Sequence, residues 1–290
     1  MKKEKRNNAM KSSLKRYFPL FLLPTLVAFI IGFVWPFLWG IYLSFFKFKT
    51  LRFKEFTGLR NYILAFSDEG FLYSFFFTAI FAIIVVIIIN LSAFFLAYAL
   101  TSKIRGTTIF RTIFFMPNLI GGIVLAYVWK EIMNDAISLI WGSALMLEAK
   151  FGFWGLVILL SWQQIGYMMI IYIAALQNVP NDYIEAARID GASRKQILKN
   201  IIIPTIMPSV TICLFLTLTN AFKLFDQNLA LTGGSPNGKT EMLALNIYNS
   251  FYGNATNLGI GQAKAFIFFI LVVAISLTQL YLTRRKEVEA

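Results

Sequence analysis

The sequence predicts an all-α integral membrane protein with six transmembrane helices, and three observations lead there. Apolar residues make up 58% of the 290 positions, charged residues only 14%, and the mean hydropathy is +0.68. That is more apolar surface than one soluble core of this length can bury. Six stretches contain no Asp, Glu, Lys or Arg and stay mostly apolar: residues 17 to 46, 70 to 102, 112 to 129, 151 to 181, 200 to 222 and 265 to 283. Each holds close to the roughly 20 residues that a helix needs to cross a hydrocarbon core while satisfying its own backbone. The expected spans are about 17–46, 71–101, 109–130, 152–178, 202–225 and 264–283, within one domain covering 1–290.

Taken in order, the first span follows a basic N-terminus, but its apolar run is about twice the length of a signal-peptide core and has no small-residue cleavage site. It reads as a retained helix. A charged segment with Lys47, Lys49, Arg52, Lys54 and Arg60 separates it from the second span. The stretch 242 to 263 is also free of charge, yet Asn246, Asn249, Gly253, Asn254, Asn257, Gly259 and Gly261 make it too polar for lipid. It is expected to be an outer loop with a partly membrane-dipping segment. The lone Cys213 falls inside the fifth span and is expected to pack there.

Charge orients the bundle. With six spans, 17 Lys and Arg fall on the side of the N-terminus and 10 on the other, and the two sides carry net charges of +11 and +2. The positive-inside rule therefore places both termini and the 181–200 loop in the cytoplasm, with the Lys47 to Arg60 cluster as the exception. The high pI reflects basic residues gathered at span ends, no aromatic and basic interleaving marks a nucleic-acid groove, and no nucleic-acid partner is expected.

The chain contains no histidine and one cysteine, and no carboxylate lies inside a predicted span. Metal chemistry, zinc proteolysis and carboxylate proton relays have nothing to rest on, so no metal, no cofactor and no catalytic residue is expected. A proton-coupled carrier is disfavoured for the same reason. Residues Gly233 to Thr240 match G-x-x-x-x-G-K-T, the phosphate-binding loop pattern. That loop requires a strand before it and a helix after it, and here it sits between membrane spans. The eight residues read better as turns, with Pro236 presetting φ and Asn237 and Gly238 tolerating positive φ.

The 181–200 loop carries the most information. Pro180 stops the fourth span, and Asp182 with Glu185 has the spacing of a capping box. Ala186 and Ala187 keep the next helix thin enough to enter a groove, and Gly191 offers the positive φ that ends it. Ser193 with Gln196 repeats the capping spacing for a second short helix, and Pro204 and Pro208 open the fifth span. These residues describe either a docking hairpin for a cytoplasmic partner or an ordinary helical hairpin on the membrane surface.

The run Glu185, Ala186, Ala187, Asp190, Gly191, Ala192 with Pro204 and Pro208 resembles the signature loop of permease subunits in binding-protein-dependent ABC importers, and most of all the carbohydrate branch of maltose-type and glycerol-phosphate-type permeases. Further similarity runs along nearly the whole chain, at Pro36 and Tyr42, at Gly58, Leu59, Asn61 and Tyr62, at Phe115, Met116 and Pro117, at Trp162, Gly166 and Tyr167, and at Gly233, Gly234 and Pro236. Ile197 stands where the family often has an aromatic, and Ile203 replaces the usual leucine before Pro204.

The resemblance implies a mechanism. Two permeases form the pathway, two cytoplasmic ATPase subunits bind ATP, and each permease inserts its loop helix into an ATPase groove, so Glu185, Ala186, Ala187, Asp190 and Gly191 would be the coupling residues. An extracellular sugar-binding protein would deliver a di- or oligosaccharide. The segment Gly58 to Tyr62 resembles one of two permease types, which implies a heterodimer with a second, homologous permease. A sugar site needs amides or hydroxyls beside aromatic rings. Trp162, Gln163, Gln164 and Tyr167 on the fourth span and Thr217, Thr219, Asn220 and Phe222 on the fifth supply both. Tyr167, Gln164 and Asn220 are the substrate candidates, with helix-to-helix hydrogen bonding as the alternative role. Lys223 and Asp226, three residues apart, are expected to pair with each other. The alternatives are an importer of another solute, such as a polyamine or phosphorylated polyol, a self-sufficient secondary carrier, or a membrane scaffold whose loop only recruits a partner.

Overall fold

The computed structural model describes residues 18, 22–50, 53–102, 106–253 and 257–285. The basic residues before Tyr17, the first residues of the expected first span, Arg52, Lys103, Arg105 and Asn254 lie outside the described residues. The regular elements among the described residues are helices and one hairpin, and by contact the chain forms two compact units, residues 1–65 with 254–266 and residues 66–253 with 267–290.

In the first unit, α1 (Leu22–Ser44) carries a π-helical turn at Ile30–Val34 and leads into strands β1 (Phe46–Thr50) and β2 (Phe53–Phe56). The hairpin was not expected from the sequence. Its residues, read as a charged connection, alternate Phe and Lys, and the pairing sets Lys47 opposite Glu55 and Phe46 opposite Phe56. Two asparagines hold it in place. Asn61, in α2 (Arg60–Phe66), donates to Ser44 O at 2.8 Å and Phe46 O at 2.9 Å, while Asn257 donates to Asn61 Oδ1 at 2.8 Å. Gly259 has no room for a side chain, because a Cβ there would lie 1.9 Å from Phe46 O.

The second unit is built on α3 (Glu69–Thr101) and α6 (Ala149–Gln177). Asp68 caps α3, accepting from the Gly70 and Phe71 amides at 2.9 and 3.3 Å. The buried face of α3 runs Phe81, Val85, Ile89, Ala93, Ala97, a four-residue period whose small members let α6 approach closely. Asn90 links three helices at this level. Its amide donates to Thr217 Oγ1 at 2.9 Å and its carbonyl accepts from the Tyr172 hydroxyl at 2.8 Å, while Thr217 donates to Cys213 O at 2.8 Å. Cys213 is buried and unpaired, as its position predicts.

Several expectations need correction. The stretch 112–129 is not one straight helix. α4 (Thr107–Phe115) tightens into a 3₁₀ turn at Met116–Leu119, and α5 (Gly122–Trp141) leaves at 101°. Pro117 and Gly121 interrupt the helical ladder, and Gln163 steadies the break by donating to Ile120 O at 3.1 Å while accepting from Gln227 at 2.8 Å. The segment expected to be an outer loop with a partly membrane-dipping stretch holds a short helix, α11 (Leu243–Tyr252), whose asparagines have a partner. Asn246 and Asn249, three residues apart on one face, both donate to Glu241. The last helix, α12 (Leu258–Arg284), begins earlier than its charge-free stretch because the Asn257 carbonyl oxygen caps the Gly259 amide at 2.9 Å. Lys223 and Asp226 form no ion pair with each other: Lys223 ends α9 (Met207–Phe222), Asp226 opens α10 (Asp226–Leu231), and the break between them removes the helical spacing.

Residues 233–240 follow α10, a helix, and among the described residues the only strands are β1 and β2, so no phosphate-binding loop is built. Asn237 and Gly238 take positive φ, 50° and 76°, and Asn228 pins the loop by donating to Thr240 O and accepting from the Met242 amide at 2.8 and 2.9 Å.

Candidate coupling surface and pathway residues

The 181–200 loop forms two short helices, α7 (Asn181–Ile189) and the start of α8 (Arg194–Thr205). α7 begins directly after Pro180, two residues earlier than the Asp182 spacing predicts. Asp182 therefore lies inside the first turn and caps nothing, and its charge faces the positive end of the helix dipole instead. The C-terminal end closes as a Schellman motif. Gly191, at φ +79°, donates its amide to Arg188 O at 3.1 Å, and the Ala192 amide donates to Ala187 O at 2.9 Å. Ser193 then caps α8 in a reciprocal box with Gln196.

This closure sorts the loop into two faces. Ile184, Ala187 and Ala192 pack against the buried core of their own unit. Glu185, Ala186, Asp190 and Gly191 are exposed, and beside them Tyr183 is 59% and Ile189 86% exposed. Of the five expected coupling residues, four thus look outward, and Ala187 anchors the helix from behind. Tyr183 and Ile189 had not been singled out in the sequence. An apolar residue directly before the Asp190 and Gly191 stop is the signal that marks Ile189. Beyond Thr205 the chain bends by 70° at Ile206, between Pro204 and Pro208, and continues as α9.

The substrate candidates meet across α6 and α9. Asn220 donates to Gln164 Oε1 at 3.4 Å, and Tyr167, one turn along α6 from Gln164, is 36% exposed. Trp162 stands edge-on to Trp129 with ring centroids 5.3 Å apart. Thr217 and Thr219 spend their single hydroxyl protons on Cys213 O and Phe215 O and have no donor to spare, while Gln163 is held between Ile120 O and Gln227. Gly166 fixes the position of this face. A Cβ there would lie 1.8 Å from Phe114 O, so α6 crosses the end of α4 backbone to backbone.

The family described as binding-protein-dependent transport system inner membrane component matches residues 107–288, which include the loop, both bends and α6. The chain belongs to this family. The permease is 44% identical to the probable starch degradation products transport system permease protein of Thermoanaerobacterium thermosulfurigenes, over 93% of this chain and 94% of the relative. It is 30% identical to the trehalose/maltose transport system permease protein of Thermococcus litoralis, over 91% and 92% of the two chains. Its fold matches a crystallised bacterial ABC transporter that imports alginate, with a TM-score of 0.80 at 20% identity, covering 96% of this chain and 99% of that one. The permease is accordingly a multi-pass inner membrane subunit of an ABC importer, and ATP hydrolysis belongs to a separate subunit.

Proposed function

We propose that this permease takes up sugars, of di- or oligosaccharide size, and that α7 couples the pathway to a pair of cytoplasmic ATPase subunits. The exposed apolar side chain of Ile189, held out by the Gly191 closure, carries the coupling assignment. A side chain of that kind outside the lipid-facing helices is what a groove on a partner recognises. Glu185, Ala186, Asp190 and Gly191 form the rest of the contact, and Ala187 sets the helix on its base. ATP closure of the partner shifts the bundle only by its difference in affinity for the inward-open and outward-open states. Both termini lie on the ATPase side, consistent with the excess of Lys and Arg there.

The sugar assignment draws on the two named relatives and on the face formed by Tyr167, Gln164 and Asn220, which offers an aromatic ring beside amide groups. A second, homologous permease completes the pathway, and an extracellular sugar-binding protein delivers the substrate. Uptake of labelled maltodextrins by cells expressing the complete importer tests this reading. Uptake that requires the ATPase subunit and is competed by oligosaccharides supports it. Competition by a polyamine or a phosphorylated polyol alone, or uptake that survives loss of the ATPase, contradicts it.

A further inference from the structure

Two hollows in the second unit are lined by the same helices, α3 on one side and α8 opposite. One, of about 340 Å³, is lined by Val86, Asn90, Leu91 and Phe94 of α3 and by Ile203 and Ile206 opposite. The other, of about 420 Å³, is lined by Tyr98 and Thr101 of α3 and by Ile197 and Ile202 opposite, with Arg188 and Arg194 at its rim. Residues 86, 90, 94, 98 and 101 follow one another at helical spacing, so a single stripe of α3 floors both. The stripe leads from one hollow to the next along the same helix.

The two ends differ chemically. The only polar side chains in the first hollow are Asn90 and Tyr172, which already bond to each other and to Thr217. The groove offers an apolar channel there, unsuited to a sugar. At the other end the lining contains two arginines and no carboxylate. Among the described residues neither arginine takes part in an ion pair or a side-chain hydrogen bond. Thr101 and Ser102 spend their hydroxyl protons on Ala97 O and Ala99 O, and the two guanidinium groups are the charged donors for an incoming anion.

The length is also informative. From position 86 to position 101 a helix rises about 22 Å. One leaflet with its headgroup, half of a roughly 40–45 Å bilayer, has the same depth. An apolar channel of leaflet length ending in two unpaired arginines has the charge and shape complement of one molecule class. We propose that this groove holds one anionic phospholipid, its acyl chain along the α3 stripe and its phosphate between Arg188 and Arg194. The lipid then bridges α3 to the base of α7 and α8, which makes the coupling loop sensitive to the anionic content of the membrane.

The test uses the complete importer, reconstituted in nanodiscs of mixed phosphatidylglycerol and phosphatidylcholine and then analysed by native mass spectrometry after mild delipidation. The wild-type importer should retain phosphatidylglycerol in preference to phosphatidylcholine. Leu91→Trp, which fills the apolar end, and Arg194→Gln, which removes one phosphate partner, should each lower retained phosphatidylglycerol by about five-fold. Leu91→Trp lies far along α3 from the loop and should keep its ATPase partner, which separates loss of lipid from loss of assembly. Both variants should elute from size-exclusion chromatography as the wild type does. Wild-type retention in both variants, equal retention of the two lipids, displacement of the lipid by inorganic phosphate, or a polypeptide crosslinked at position 91 in place of lipid would each overturn the proposal.

Discussion

The amide of Ala192 reaches back across Gly191 to the carbonyl of Ala187 at 2.9 Å, and this bond decides which way α7 faces. Ala187 and Ala192 are both drawn against the core, so the opposite side of the helix, with Glu185 and Ile189, is turned outward.

Ile189 is the first residue to test. It is 86% exposed and supports nothing in its own fold, so Ile189→Asp should leave the permease as stable in detergent as wild type, within about 0.5 kcal/mol. Its affinity for the ATPase subunit should fall by roughly five- to thirty-fold, the effect of losing one apolar anchor from an interface. Thermal unfolding and a pull-down with titrated ATPase measure the two quantities separately.

Gly166 predicts a loss of folding. A Cβ at 1.8 Å from Phe114 O cannot be relieved by turning a side chain, because the obstacle is backbone. Gly166→Ala should cost about 3 kcal/mol or more and reduce the yield of monodisperse protein. Gly32→Ala, with nothing within 4 Å, should match wild type in the same size-exclusion assay.

The Asn90, Tyr172 and Thr217 cluster predicts coupled stability. Asn90→Leu and Tyr172→Phe break the same hydrogen bond, so their combined effect should fall short of the sum by about 0.6–1.7 kcal/mol. A double-mutant cycle on thermal stability in detergent reads that difference, and full additivity would show that the bond contributes nothing.

For substrate, Tyr167→Ala should raise the sugar concentration needed for half-maximal uptake while the amount of assembled importer stays constant. Asn220→Leu leaves Gln164 without its partner and should act in the same direction. Unchanged uptake and unchanged sugar preference in both variants would remove this face from the pathway.

The sequence makes some of this structure legible and hides the rest for physical reasons. Apolar content alone marks the long helices, and Pro180, Gly191 and the pair Ser193 and Gln196 mark the loop, because each acts on its immediate neighbours. The 101° bend at residues 120–121 is less visible, since it depends on Gln163 and Gln227, which are distant in sequence. The polar content of 242–263 looks incompatible with a helix until Glu241 is seen to accept from Asn246 and Asn249. The hairpin at 46–56 was legible in its alternating Phe and Lys, a period of two hidden by reading the segment for charge alone. Among the pathway residues, composition cannot separate Gln163, which closes a turn, from Gln164, which faces Asn220, because the two are adjacent and chemically identical.

The central claim is that α7 docks the ATPase, and the direct measurement is to purify the tagged permease from its native membrane as wild type and as Gly191→Asp. Gly191 sits at φ +79°, a region that costs a residue with a side chain roughly 1–2 kcal/mol, and the change reorients the Ile189 face without touching the membrane core. The account predicts that the wild type brings down a second permease and an ATPase subunit, and that Gly191→Asp keeps the second permease and loses the ATPase. Wild-type protein that purifies alone after crosslinking, or a Gly191→Asp variant that retains its full complement of ATPase, would contradict it.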